Sequence, residues 1–140
     1  MTMVAVRAGP SRVDDGERRL SAMIQYLRSV VLQAPERAER FHAIFVDAER
    51  RYLGDAAMGQ GDLGALTLRM RELFGRALSV GARAIIIAHN HPSGDCRPSQ
   101  NDIAATKRLS SIGEALDIEL LDHLIFTSQS VYSMRAGGKL

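Results

Sequence analysis

The stretch ARAIIIAH, residues 82–89, constrains the fold more than any other. Ile85, Ile86 and Ile87 are consecutive, β-branched and uncharged, so both faces of the segment need cover. Such a strand sits inside a sheet with a layer on each side. A chain of 140 residues can build one such domain and is too short for two of usual size. Its apolar content of 46% argues against disorder.

Periodicity places the other elements around this strand. Leu20, Met23, Ile24, Leu27, Val30 and Val31 repeat at helical spacing and predict an amphipathic helix over 15–33. Asp14 and Glu17 are spaced as a capping box at its start, and Pro35 stops it. Its stripe suits the core or a homodimer face. RFHAIFVD, 40–47, predicts a strand with Phe41, Ala43 and Phe45 on one face and His42, Ile44 and Val46 on the other. Residues 51–57 predict a shorter hairpin partner after a turn at Ala48 to Arg50, and GQGDLG, 59–64, predicts a loop.

A second helix is expected over 66–79, with Leu66, Met70, Leu73, Phe74, Ala77 and Leu78 inward and Gly81 as its stop. A helix between two strands predicts a crossover joining parallel neighbours. A third helix is expected from about residue 100, with Ile103, Thr106, Leu109, Ile112 and Leu116 inward and a break near Gly113. IELLDHLIFT, 118–127, predicts one or two strands, Ser128 and Gln129 a turn, and VYSM, 131–134, another strand. The sum is an α/β fold bordering on α+β: one mixed sheet of four to six strands flanked by three helices. Residues 1–14 read as a flexible N-terminus and 15–140 as the domain.

Composition excludes several classes. The single cysteine, Cys96, rules out an intrachain disulfide framework and any site of several thiolates within one chain. No run of apolar residues is long enough to span a membrane, and a cytoplasmic location is expected. A formal charge of +2 gives a nucleic-acid or membrane surface little basis.

The chemistry is concentrated in HNHPSGDCRPSQND, residues 89–102. His89 and His91 end the buried strand, and alternate side chains of a strand point the same way. Asp102 lies at the start of the next helix, where a Pro- and Gly-rich loop can bring it back. Two imidazoles and a carboxylate form a catalytic zinc set that keeps a fourth position open. Ser99 and Asp102 have a competing role as a helix-capping pair, and Asn90 reads as a turn residue. Glu39, beside Phe41, suits a proton acceptor, although Glu36 and Glu72 compete on residue type alone. If Glu39 meets the end of strand 82–88, the two strands run antiparallel where they approach.

These residues resemble the RadC-like branch of the JAB1/MPN/Mov34 family, the JAMM metalloproteins. The family pattern of a Glu, H-x-H, seven residues, Ser, two residues and Asp reads here as Glu39, His89-Asn90-His91, Ser99 and Asp102. AIIIAHNHPSGD, RPSQND, RELFGRAL and LDHLIF mark the bacterial branch, and the resemblance covers about residues 20–140. It implies a fold similar to cytidine deaminases, although the deaminase H-x-E and P-C-x-x-C signatures are absent. It also implies zinc held by His89, His91 and Asp102, with Glu39 deprotonating the attacking water and Ser99 donating to the oxyanion.

The implied activity is zinc-dependent hydrolysis of an amide, peptide or isopeptide bond, with a peptide or other amide-containing substrate. The alternative is a DNA-repair-associated accessory or interaction protein that keeps the zinc fold with little turnover. A basic groove of Arg69, Arg71, Arg76 and Arg97 would favour it, and DNA binding has weak support from charge. RadC proteins usually carry an upstream helix-hairpin-helix segment, and none is expected within these residues. Gly61-Asp62 stands where the family often has Gly-Thr, Met70 where it often has Pro, and Cys96 where the branch often has Pro. Cys96 is expected to be a loop thiol and not a ligand. His123 lies outside the family pattern and is expected to make a structural or supporting hydrogen bond.

Overall fold

Strand β1 (Arg40–Val46) divides its side chains between two cores. Phe41, Ala43 and Phe45 join one apolar cluster, and Ile44 and Val46 join another. The first cluster lies under helices α2 (Met70–Ser79) and α3 (Gln100–Ala115); the second lies under α1 (Asp15–Val31). The sheet is therefore covered on both faces, as the alternation predicts. The structure, a computed structural model, describes residues 15–34, 37–60 and 69–140. The predicted N-terminal segment, Pro35, Glu36, Gly61-Asp62 and the expected helix start at Leu66 lie outside the described residues.

Five strands stand in the order β2-β1-β3-β4-β5, with β2 at Tyr52–Gln60, β3 at Ala84–Asn90, β4 at Glu119–Phe126 and β5 at Val131–Ser133. β1 is antiparallel to both β2 and β3, β3 is parallel to β4, and β5 is antiparallel to β4. This is the mixed α/β sheet between helices that the pattern predicts. Ile85 and Ile87 enter the first core and Ile86 the second, so the triple isoleucine fills both sides of the central strand.

Five details differ from expectation. The crossover through α2 does join parallel strands, but β1 lies between β2 and β3, so they are not neighbours. β2 is longer than 51–57 and includes Gly59 and Gln60, because its ladder absorbs extra residues: Arg40 and His42 pair with Gln60 and Ala57. Leu78, predicted inward, is 55% exposed at the end of α2. Leu116, predicted inward, is partly exposed at the cap of α3. Finally, α3 runs unbroken through Gly113. That glycine admits the backbone of Ile118, whose N–H donates to the Gly113 carbonyl at 2.7 Å.

Local turn chemistry is clear between β1 and β2. Asp47 Oδ1 accepts from the N–H groups of Glu49 and Arg51 at 2.9 and 2.8 Å, and Arg50 adopts a φ of 66°. No helix among the described residues is long and apolar enough to cross a membrane.

Candidate metal centre

Antiparallel pairing puts Phe41 of β1 opposite His89 of β3. The residue preceding β1, Glu39, thereby arrives beside the carboxyl end of β3. Asn90 secures this junction. Its Oδ1 accepts from Arg40 N–H at 2.6 Å, and its Nδ2 donates to the Ala38 carbonyl at 2.9 Å. Asn90 is buried at the end of β3, which replaces the alternative reading of it as a turn residue.

The loop after β3 returns the chain to the same point. His91 N–H donates to the Phe126 carbonyl of β4 at 3.0 Å, and Gly94, at φ 89°, donates back to the His91 carbonyl at 3.1 Å. Ser99 then caps α3. Its Oγ accepts from Asp102 N–H at 3.0 Å, and Ser99 N–H donates to Asp102 Oδ2 at 2.8 Å. Capping does not take Asp102 out of the cluster: the capping oxygen Oδ2 also lies 3.2 Å from His91 Nε2, and Oδ1 lies 3.6 Å from His89 Nε2.

His89, His91 and Asp102 converge, with one donor atom from each within 4.8 Å of the others. His89 Nε2 and His91 Nε2 are 3.0 Å apart, Asp102 Oδ2 is 3.2 Å from His91 Nε2, and Asp102 Oδ1 is 3.6 Å from His89 Nε2. Bonds of about 2.0–2.1 Å to a tetrahedral ion would separate adjacent donors by about 3.3 Å. His91 Nδ1 lies 2.8 Å from the Asp95 carbonyl, which only accepts, so that nitrogen is protonated and Nε2 faces the cluster. The donor set therefore fits a borderline divalent ion such as zinc in spacing and ligand type.

The electrostatics differ from one side chain of the cluster to the next. Burial pushes the Asp102 carboxyl upward, but hydrogen bonds from His91 and Ser99 N–H outweigh it and bring it down to about 2. The Asp102 hydrogen bond raises the pKa of His91, and the charge of Glu39 adds to the effect. His89 is fully buried, and desolvation holds it well below the usual histidine range. His123 is held at about 4 by burial.

Glu39, His91, Pro92, Ser93, Ser99 and Asp102 line a cleft of about 440 Å³, so all the predicted site residues except the buried His89 face one cavity. Glu72 instead sits on α2 between Arg69 and Arg76, at 3.6 and 3.9 Å. Arg97 pairs with Asp95 at 2.7 Å. Three of the four arginines considered for a basic groove thus have acidic partners. A larger cavity of about 590 Å³, lined by Arg50, Arg83 and Arg135 among others, lies at the opposite end of β3 and β4. Cys96 is half-buried and takes no part in the three-residue cluster.

Two supporting residues were hard to read from the sequence. By sequence Asn90 reads as part of a loop, because Pro92 and Gly94 follow it. Thr106 falls on the inner face of α3, where a lone hydroxyl among apolar residues is the available signal. It touches His123 on β4, 17 residues away, at 2.7 Å.

A mixed sheet between helices, with two histidines and a carboxylate gathered beyond its central strand, defines an α/β domain with a candidate metal centre. The chain belongs to the RadC-like JAB domain family, whose model matches residues 18–139. It is similar to UPF0758 proteins: 31% identical to one from Syntrophotalea carbinolica over 98% of this chain and 60% of the relative. For relatives from Cupriavidus pinatubonensis and Geobacillus sp. (strain WCH70), identity is 36% and 41%, over 86% and 71% of this chain and 52% and 44% of theirs. The chain thus spans about half the length of the curated relatives it matches.

Proposed function

We propose that this domain is a zinc-dependent hydrolase of an amide, peptide or isopeptide bond. The observation that carries the reading is the meeting of Glu39 with His91, Ser99 and Asp102 on one cleft, with His89 behind them. His89 Nε2, His91 Nε2 and the Asp102 carboxylate would hold the ion. Zinc bound there supplies Lewis acidity, acidifying water and polarising a carbonyl.

The remaining steps belong to side chains. Glu39 takes the proton of the attacking water and returns it to the leaving amine. Ser99 Oγ uses a lone pair for Asp102 N–H, which leaves its hydroxyl proton for the developing oxyanion. Asn90 keeps the Glu39 backbone registered against His91. No covalent acyl intermediate is needed.

The test compares wild type with E39Q, H89A and H91A for zinc stoichiometry and for kcat/KM on peptide and isopeptide substrates. Wild type should hold about one zinc per chain through a two-histidine, one-carboxylate set. E39Q should keep zinc and lose about 100-fold or more in hydrolysis. H89A and H91A should lose both. Wild-type turnover in E39Q would remove Glu39 as the base. Zinc-loaded wild type that cleaves no substrate but binds DNA with steep salt dependence would replace the hydrolase reading with the accessory one.

A further inference from the structure

Behind the cluster, three side chains form a continuous hydrogen-bonded line. His89 Nδ1 lies 2.8 Å from His123 Nε2, and His123 Nδ1 lies 2.7 Å from Thr106 Oγ1. Thr106 Oγ1 donates to the Asp102 carbonyl at 2.6 Å. His89, Thr106 and His123 are all buried to within 1% of complete enclosure. The line crosses from β3 to β4 to α3 and ends on the backbone of the cluster's carboxylate residue.

Its far end sets its direction. A carbonyl oxygen only accepts, so Thr106 gives Asp102 the one proton its hydroxyl has. Oγ1 can then serve His123 only as an acceptor, and His123 Nδ1 must carry a proton. The reverse order would leave two oxygens 2.6 Å apart with no proton between them. His123 has His89 and Thr106 as its side-chain hydrogen-bond partners, with no carboxylate among them, in an enclosed position where a charge is costly. Its Nε2 therefore keeps a lone pair and accepts from His89 Nδ1–H. Neutral His89 has one ring proton, so its Nε2 is bare and faces His91 and Asp102.

We propose that Thr106 and His123 are positioning residues that hold His89 in the tautomer able to bind a metal ion through Nε2. This rests on the reading of His89 as a ligand. Without the line, nothing in the ring itself selects the required nitrogen, and a proton on Nε2 would block the site. Because the line begins on one proposed ligand and ends on another, it also ties the helix start carrying Asp102 to the strand end carrying His89.

Nitrogen NMR of the histidine rings in the metal-free protein tests the tautomers, and zinc titration tests their consequence. Wild type should show His89 and His123 protonated at Nδ1 and bare at Nε2. T106V keeps the shape but removes the hydroxyl. It should move His123 toward Nε2 protonation, disturb His89 and weaken zinc binding about 10–100-fold. T106S should restore the wild-type ring signals and zinc affinity. Wild-type tautomers and affinity in T106V would overturn the proposal. So would an Nε2 proton on His89 or His123 in wild type, a result independent of whether T106V folds. Failure of wild type to bind zinc would overturn the underlying metal reading. The metal-free spectra distinguish that failure from a wrong relay.

Discussion

Asn90 grips the chain on both sides of Glu39. Its amide accepts from Arg40 N–H at 2.6 Å and donates to the Ala38 carbonyl at 2.9 Å. A side chain set between the two cluster histidines thus holds the backbone that presents the proposed base. The distance from base to centre is controlled by β1–β3 register together with one buried amide, since Phe41 pairs with His89.

N90A should therefore separate positioning from metal binding. It removes both bonds at a nearly enclosed position and should cost about 1–3 kcal/mol in denaturant unfolding. The three cluster residues remain, so zinc stoichiometry should stay near that of wild type. A loosely held Glu39 should lower kcat about 10–100-fold. Loss of zinc by folded N90A would show that Asn90 supports the ligands instead.

C96S should leave the centre unchanged. The thiol is half-buried in the loop between His91 and Ser99 but does not join the converging cluster. Zinc stoichiometry and circular dichroism should match wild type. Zinc loss with an intact fold would place Cys96 among the ligands.

The sequence made the central strand and the cluster legible because both rest on local rules. Ile85 to Ile87 demand two covered faces, and His89 and His91 share a side by strand alternation. The two faces of β1 follow the same alternation, with Phe41 and Ile44 in opposite cores. The remaining features depend on contacts that residue spacing does not reveal. The length of β2 follows from irregular pairing with β1, and Gly113 is required by the passing chain at Ile118. Thr106 gains its role only when α3 lies against His123 of β4. Leu78 fits a helical stripe by spacing, yet that stripe outruns the core at the last turn of α2.

G113A tests the close approach directly. A Cβ there would lie 2.3 Å from the Ile118 carbonyl oxygen, and that atom is backbone. Helix propensity alone would favour alanine by about 1 kcal/mol. The clash should reverse the sign and destabilise the protein by about 1–3 kcal/mol, read from urea midpoints. A midpoint equal to or above wild type would show that α3 and the following turn separate freely.

The last prediction concerns Asp55, on the outer strand β2. Its carboxylate meets Tyr26 Oη at 2.7 Å, His42 Nε2 at 2.5 Å and the Tyr52 hydroxyl. Burial pushes Asp55 upward, but bonds from Tyr52, His42 and Tyr26 outweigh it and lower its pKa. The hydrogen bond to Asp55, then burial and the Asp55 charge, push Tyr52 up to about 12. The signs are opposite. The Asp55 contribution is present above the unfolded carboxylate value of about 3.9 and is lost as pH falls through its lower folded value. The Tyr52 contribution is full below the unfolded tyrosine value of about 10 and disappears as pH rises through about 12. Tyrosinate absorbance should therefore appear at lower pH in D55N than in wild type. The stability difference between wild type and Y52F should shrink over the same alkaline window. Coincident titration curves for D55N and wild type, with both folded, would show that Asp55 does not restrain the tyrosine protons.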